Sequence, residues 1–197
     1  METITEIYSK IYENESSKDP KKFIATIEQD VESLLKYDFD NYDDRFKATR
    51  LISDYSLNIA NEGFVRKSLP FLNHAILLFE SDERLKAKDL LDEPMFEALI
   101  WKRGTVYFDL KQFSLAKQDF KRLALKWPDN DRFKNWFNSS INYRLNQMQW
   151  GFTFLIAFCI LAKYVIGFKT DLTTYGNLIG LIGLTGTYVY KLMARIK

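Results

Sequence analysis

The chain has 197 residues, with 28 basic and 26 acidic side chains, one histidine and one cysteine. A lone cysteine excludes an intramolecular disulfide, and near-neutral charge removes the electrostatic case for a nucleic-acid partner, which asks for a basic face. The length allows a soluble domain with a real core and leaves residues over for a second purpose.

From residue 1 onward the apolar residues recur with a helical period, and no segment alternates as a half-buried strand would. Ile4, Ile7, Tyr8, Ile11 and Tyr12 form a stripe on a short first helix. Asp19 before Pro20 is a helix start, because Asp accepts from free backbone N–H groups and Pro has none to leave unpaired. Phe23, Ile24, Ile27, Val31, Leu34 and Leu35 continue that second helix to an acidic turn. A third helix, about 42–62, carries Phe46, Ile52, Tyr55, Ile59 and Ala60, and Gly63 is placed to stop it in the left-handed geometry glycine tolerates. The fourth, about 68–80, is expected to take Ser68 as cap and Pro70 in its first turn, with Leu72, Ala75, Ile76 and Phe79 inward. A short fifth helix over 82–91 buries Leu85, Leu90 and Leu91. The sixth, 94 to about 110, and the seventh, about 114–126, form an antiparallel pair. Residues 127–130 break the chain, and an eighth helix starts near Asp131 with Phe133, Trp136, Phe137 and Ile141. No breaker follows before Phe168, so this helix is expected to run on unbroken.

In the sixth and seventh helices Gly104, Tyr107, Ala116, Phe120 and Pro128 fall at set separations. Gly104 and Ala116 let two helices approach, Tyr107 and Phe120 fill the space beside them, and Pro128 ends the second. This stretch, residues 97–130, resembles a tetratricopeptide repeat, a helix-turn-helix unit of roughly 34 residues. The match departs from the family at Ile100, Arg103 and Leu123, where it prefers Trp, Leu and a second Ala. Ser68, Leu72 and Ala75 echo Ala116, Phe120 and Leu123 at an offset of 48 residues, and the expected fifth helix accounts for the excess over a tandem array. The resemblance implies a concave face that binds segments of partner proteins. On the sixth helix the residues it places there are Trp101, Thr105, Phe108 and Asp109, which favours an apolar or aromatic-rich segment over a C-terminal carboxylate. The alternative is that Trp101 and Phe108 are covered by the fifth or eighth helix.

Past Gln149 the composition changes. Residues 150–168 hold one charge, Lys163, and residues 172–190 hold none, with a link of residues 169–171 between them. Each run has 19 residues, about 28 Å of helix against a hydrocarbon layer of about 30 Å. Two transmembrane helices joined by an outer turn follow, with residues 1–149 as a cytoplasmic domain and 191–197 as a basic tail. From residue 150 on the net charge is +4 and before it −2; Arg144, Lys191, Arg195 and Lys197 flank the inner face, and the N-terminus has no secretory signal, so both termini are expected in the cytoplasm. Lys163 is expected to reach the outer interface. Gly176, Gly180 and Gly183 give the second span a small-residue face, whose partner is the first span or, alternatively, a second copy of the chain.

Chemistry has no candidate. His74 stands alone on the fourth helix, Cys159 lies inside the first apolar run, and no GxxxxGK[ST], GxGxxG or HExxH is present. No catalytic residue, metal or cofactor is expected. The fold class is all-α: a tetratricopeptide-like antiparallel helix-hairpin solenoid or bundle followed by two transmembrane helices. The expected function is a membrane-anchored scaffold or adaptor that binds a protein partner through its helical domain. The alternative is a structural subunit or assembly factor of a multispanning membrane complex, binding through the glycine-rich hairpin.

Overall fold

A computed structural model of the chain describes residues 3–13, 19–36, 41–164 and 171–196, and among them all regular structure is helical. Helix α1 (Ile4–Tyr12) opens on a capping box in which Thr3 and Glu6 satisfy each other's backbone N–H groups. Its Ile4, Ile7 and Ile11 are buried, as the stripe requires. Helix α2 (Pro20–Ile27) starts on Asp19, whose carboxylate accepts from Lys21 and Lys22 N–H. The expected continuation to Leu35 is interrupted: a turn at 28–30 separates α2 from α3 (Val31–Lys36). The Glu28 carboxylate accepts from the Tyr55 hydroxyl and from Lys67, and α3 restarts with Val31 and Leu34 buried.

Helix α4 (Tyr42–Asn61) is capped by Asn41 and buries Ala48, Leu51, Ile52, Tyr55 and Ile59. It ends where Gly63 takes φ +87°, a left-handed conformation that costs glycine little. Helix α5 (Val65–Glu80) begins three residues before the expected start. Ser68 is therefore no cap; its buried hydroxyl donates to the Val65 carbonyl at 2.9 Å, and Pro70 lies inside the helix rather than in its first turn. Residues 82–93 make turns and a single 3-10 helix, Leu90–Asp92, in place of the expected α-helix. Asp82 and Asp89 each accept a nearby backbone N–H, from Arg84 and Leu91, and such local bonds compete with the helical ladder.

Helix α6 (Pro94–Asp109) and helix α7 (Phe113–Lys126) are joined by a three-residue link in which Lys111 holds φ 59°. Helix α5 packs against α4 and α6, α6 packs against α7 and more lightly against α4, and α1, α2 and α3 rest on α4. Helix α8 (Asp131–Tyr164) is continuous and helix α9 (Asp171–Ile196) follows. The expected link lies largely outside the described residues, as does Phe168.

The chain divides into two units, Met1–Phe133 and Lys134–Lys197. In the first, Leu51, Ile52, Tyr55, Leu72, Phe96, Leu99 and Phe120 lie at the centre of an apolar core. In the second the balance reverses, and Trp150, Phe154, Phe158, Leu178, Ile182 and Met193 all stand exposed.

Candidate partner groove and apolar hairpin

Where α6 meets α7, Gly104 and Phe120 come into close contact. A Cβ placed on Gly104 would come within 2.8 Å of the Phe120 ring, so the helices touch at a distance only glycine permits. Ala116, Phe120 and Leu123 are fully buried, and so are their counterparts Ser68, Leu72 and Ala75 on α5. The Tyr107 hydroxyl reaches Asn73 of α5 at 3.5 Å. Pro128 lies just past α7, where Trp127 closes the last turn onto the Leu123 carbonyl. Arg103 forms a two-pronged pair with Asp119 of α7 at 2.9 and 2.6 Å and also donates to Asn73. Burial pushes the Asp119 carboxyl above its ordinary value, against the pull of Arg103. Desolvation draws Arg103 down, and its bonds and charge attraction to Asp119 more than offset this, leaving it raised.

Of the four residues expected to line a partner groove, Trp101, Thr105 and Phe108 are half-buried and Asp109 is exposed. Trp101 packs at a tilt against Phe120 and Phe133, each at 5.4 Å between ring centres, with the Arg132 guanidinium 3.9 Å over its face. Phe108 meets the Phe113 ring edge-on at 5.1 Å, and Thr105 donates to the Lys102 carbonyl. Asp109 is exposed at the end of α6. The first turn of α8 thus lies against Trp101, which remains half-buried.

A cleft of about 630 Å³ opens elsewhere on the same unit, between α4, the end of α5, residues 82–93 and the start of α6. Tyr42, Phe46, Thr49, Arg50 and Leu57 of α4 form one wall, with Leu85, Met95 and Ala98 across from them. Phe46 is 54 % exposed and Tyr42 42 %. Arg84 lies 3.3 Å over the Tyr42 ring. The charges at the cleft are largely matched within the fold: Arg50 donates to Asp54 at 2.8 Å and Lys88 stands 3.7 Å from Glu93. Asp54 also accepts from the Tyr12 hydroxyl, whose ionisation burial and the neighbouring carboxylate push well up. What remains for a ligand is an apolar, aromatic trough with one guanidinium at its side. Sequence reasoning missed this wall, yet a signal existed: Phe46 lies off the stripe formed by Ala48, Leu51, Ile52, Tyr55 and Ile59. A second, shallower cavity is ringed by Glu97, Asp129 and Asp131 around Trp127 and Pro128.

In the second unit, the three glycines of α9 face α8. A Cβ at Gly176 would sit 2.5 Å from Cys159 Sγ, one at Gly180 2.5 Å from Ile156, and one at Gly183 would run into the Phe152 ring. Lys191 donates to Asn146 at 3.1 Å. Each step back along α8 is matched by a step forward along α9, which is the register of an antiparallel hairpin. Among the described residues α8 is the one helix long and apolar enough to cross a bilayer, and only 11 % of that stretch, within Asp131–Lys163, is buried. A core helix of a soluble protein would be mostly buried. Helix α9 falls short because Thr173, Thr174, Asn177, Thr185 and Thr187 dilute its apolar residues.

No family model, curated protein or solved structure matches the chain.

Proposed function

We propose that the chain is a membrane-anchored adaptor whose tetratricopeptide-like helical domain recruits a protein partner while α8 and α9 hold it in the bilayer as a two-span hairpin. Both termini then lie on the cytoplasmic side. The observation that carries the reading is the cleft beside Phe46. An aromatic ring left half in water beside Tyr42, Leu57, Leu85 and Met95 loses apolar burial that a ligand segment would restore. The hairpin supports the anchoring half. Rings and aliphatic side chains such as Phe154 (68 % exposed), Phe158 (67 % exposed) and Ile182 cover its outside, a cost in water that disappears in hydrocarbon. The complex-subunit alternative draws less support, because the face it would use, Gly176, Gly180 and Gly183, is occupied by α8 of the same chain.

The test uses the full-length chain in its native membrane. Phe46→Asp should abolish capture of the partner while leaving the protein in the membrane fraction, and Gly186→Leu, at a glycine with open space around it, should leave capture intact. Capture that survives Phe46→Asp and is lost with Gly186→Leu would move recognition from the groove to the hairpin.

A further inference from the structure

The two ends of the hairpin differ in charge, and this inference rests on the membrane reading given above. At the end marked by the Lys191 to Asn146 bond, Trp150, Tyr188 and Tyr190 expose their rings together. Trp and Tyr favour the boundary between hydrocarbon and headgroups, so these rings mark its depth. Arg144 is exposed six residues before Trp150, about 9 Å further toward water at about 1.5 Å per residue. Lys191 follows Tyr190 directly. Both cations therefore stand at the depth of the lipid phosphates. Lys191 spends one of its N–H groups on a neutral amide, and among the described residues no carboxylate pairs with it. The second unit has one acidic residue, Asp171, and it lies at the far end of the hairpin; Arg195 and Lys197 add two positive charges to the sequence near Lys191.

We propose that the base of the hairpin is a binding site for anionic phospholipid headgroups, with Arg144 and Lys191 as its phosphate-facing cations. A zwitterionic headgroup brings a phosphate together with its own ammonium and so offers little net attraction. An anionic one meets a rim whose unit holds a single acidic side chain, Asp171, at the opposite end. Each cation near a membrane surface favours anionic lipid by roughly fivefold, and the effect falls as salt shortens the range of the field.

The experiment places the full-length protein in vesicles of equal parts phosphatidylcholine and phosphatidylglycerol, with bromine on the acyl chains of one lipid or the other. Quenching of Trp150 fluorescence, isolated by subtracting a Trp150→Phe variant, reports which lipid lies beside the rim. Brominated phosphatidylglycerol should quench several-fold more effectively. Arg144→Gln, at an exposed position, should lose about fivefold of that preference, Lys191→Arg should keep it, and roughly 1 M salt should erase most of it. Equal quenching by the two lipids, or a preference unchanged in Arg144→Gln, overturns the headgroup site and leaves the membrane anchor standing. Absence of quenching by either lipid overturns both.

Discussion

Arg103 and Asp119 form the most consequential pair in the helical domain, since Asp119 is 3 % and Arg103 18 % exposed and each depends on the other for its charge. Breaking such a pair from one side leaves a buried charge alone and costs about 3–5 kcal/mol, whereas replacing both partners with apolar groups is close to neutral. Arg103→Leu alone should therefore lower the unfolding free energy by about 3–5 kcal/mol in urea titrations, and Arg103→Leu with Asp119→Leu should recover most of it. Gly104→Ala should cost about 1–3 kcal/mol, because the added methyl meets a Phe120 ring already held by Trp101. His74 gives a pH signature. Burial lowers its pKa from the ordinary 6.5, so the folded chain holds the proton less tightly than the unfolded one. The stability this contributes is complete above the ordinary pKa and is lost as pH falls through the folded value. His74→Gln should flatten that part of the acid limb in a series of melting curves; an unchanged slope would show that His74 takes no part in it.

At the scale of elements, the helices with strong caps and stops were legible, and the departures have local causes. Asp19, Gly63 and the break at 127–130 stand where the sequence places them, and Gly104 of α6 lies against the Phe120 ring of α7. The split of α2 from α3 was not legible, because the apolar period runs through it from Phe23 to Leu34 without a Gly or Pro. The loss of a helix over 82–91 was partly legible, given two aspartates free to bond to their own backbone. The packing of Phe133 and Arg132 onto Trp101 was not legible, because no spacing within α6 reveals how the chain returns after 127–130. The hairpin register yields a direct prediction. A cysteine at Gly176 would place its Cβ 3.9 Å from that of Cys159, close to the separation of about 3.8 Å that disulfides adopt. Gly176→Cys should oxidise to an intramolecular disulfide, seen as a mobility shift that reductant reverses. A thiol pair that stays reduced under oxidant would contradict the register.

For the whole molecule, two surfaces that water should not favour lie in different units, the cleft beside Phe46 and the apolar outside of α8 and α9. The adaptor reading gives each a use, one facing a partner and one facing lipid. Its central claim is that the chain enters the bilayer twice and returns to the side from which it came. Protease treatment of sealed membranes, with one epitope fused at each end of the chain, tests this most directly. The account predicts that both epitopes are digested from the same face while a hairpin fragment stays in the alkaline-washed pellet; protection of one epitope alone, or recovery of the intact chain in the supernatant, would contradict it.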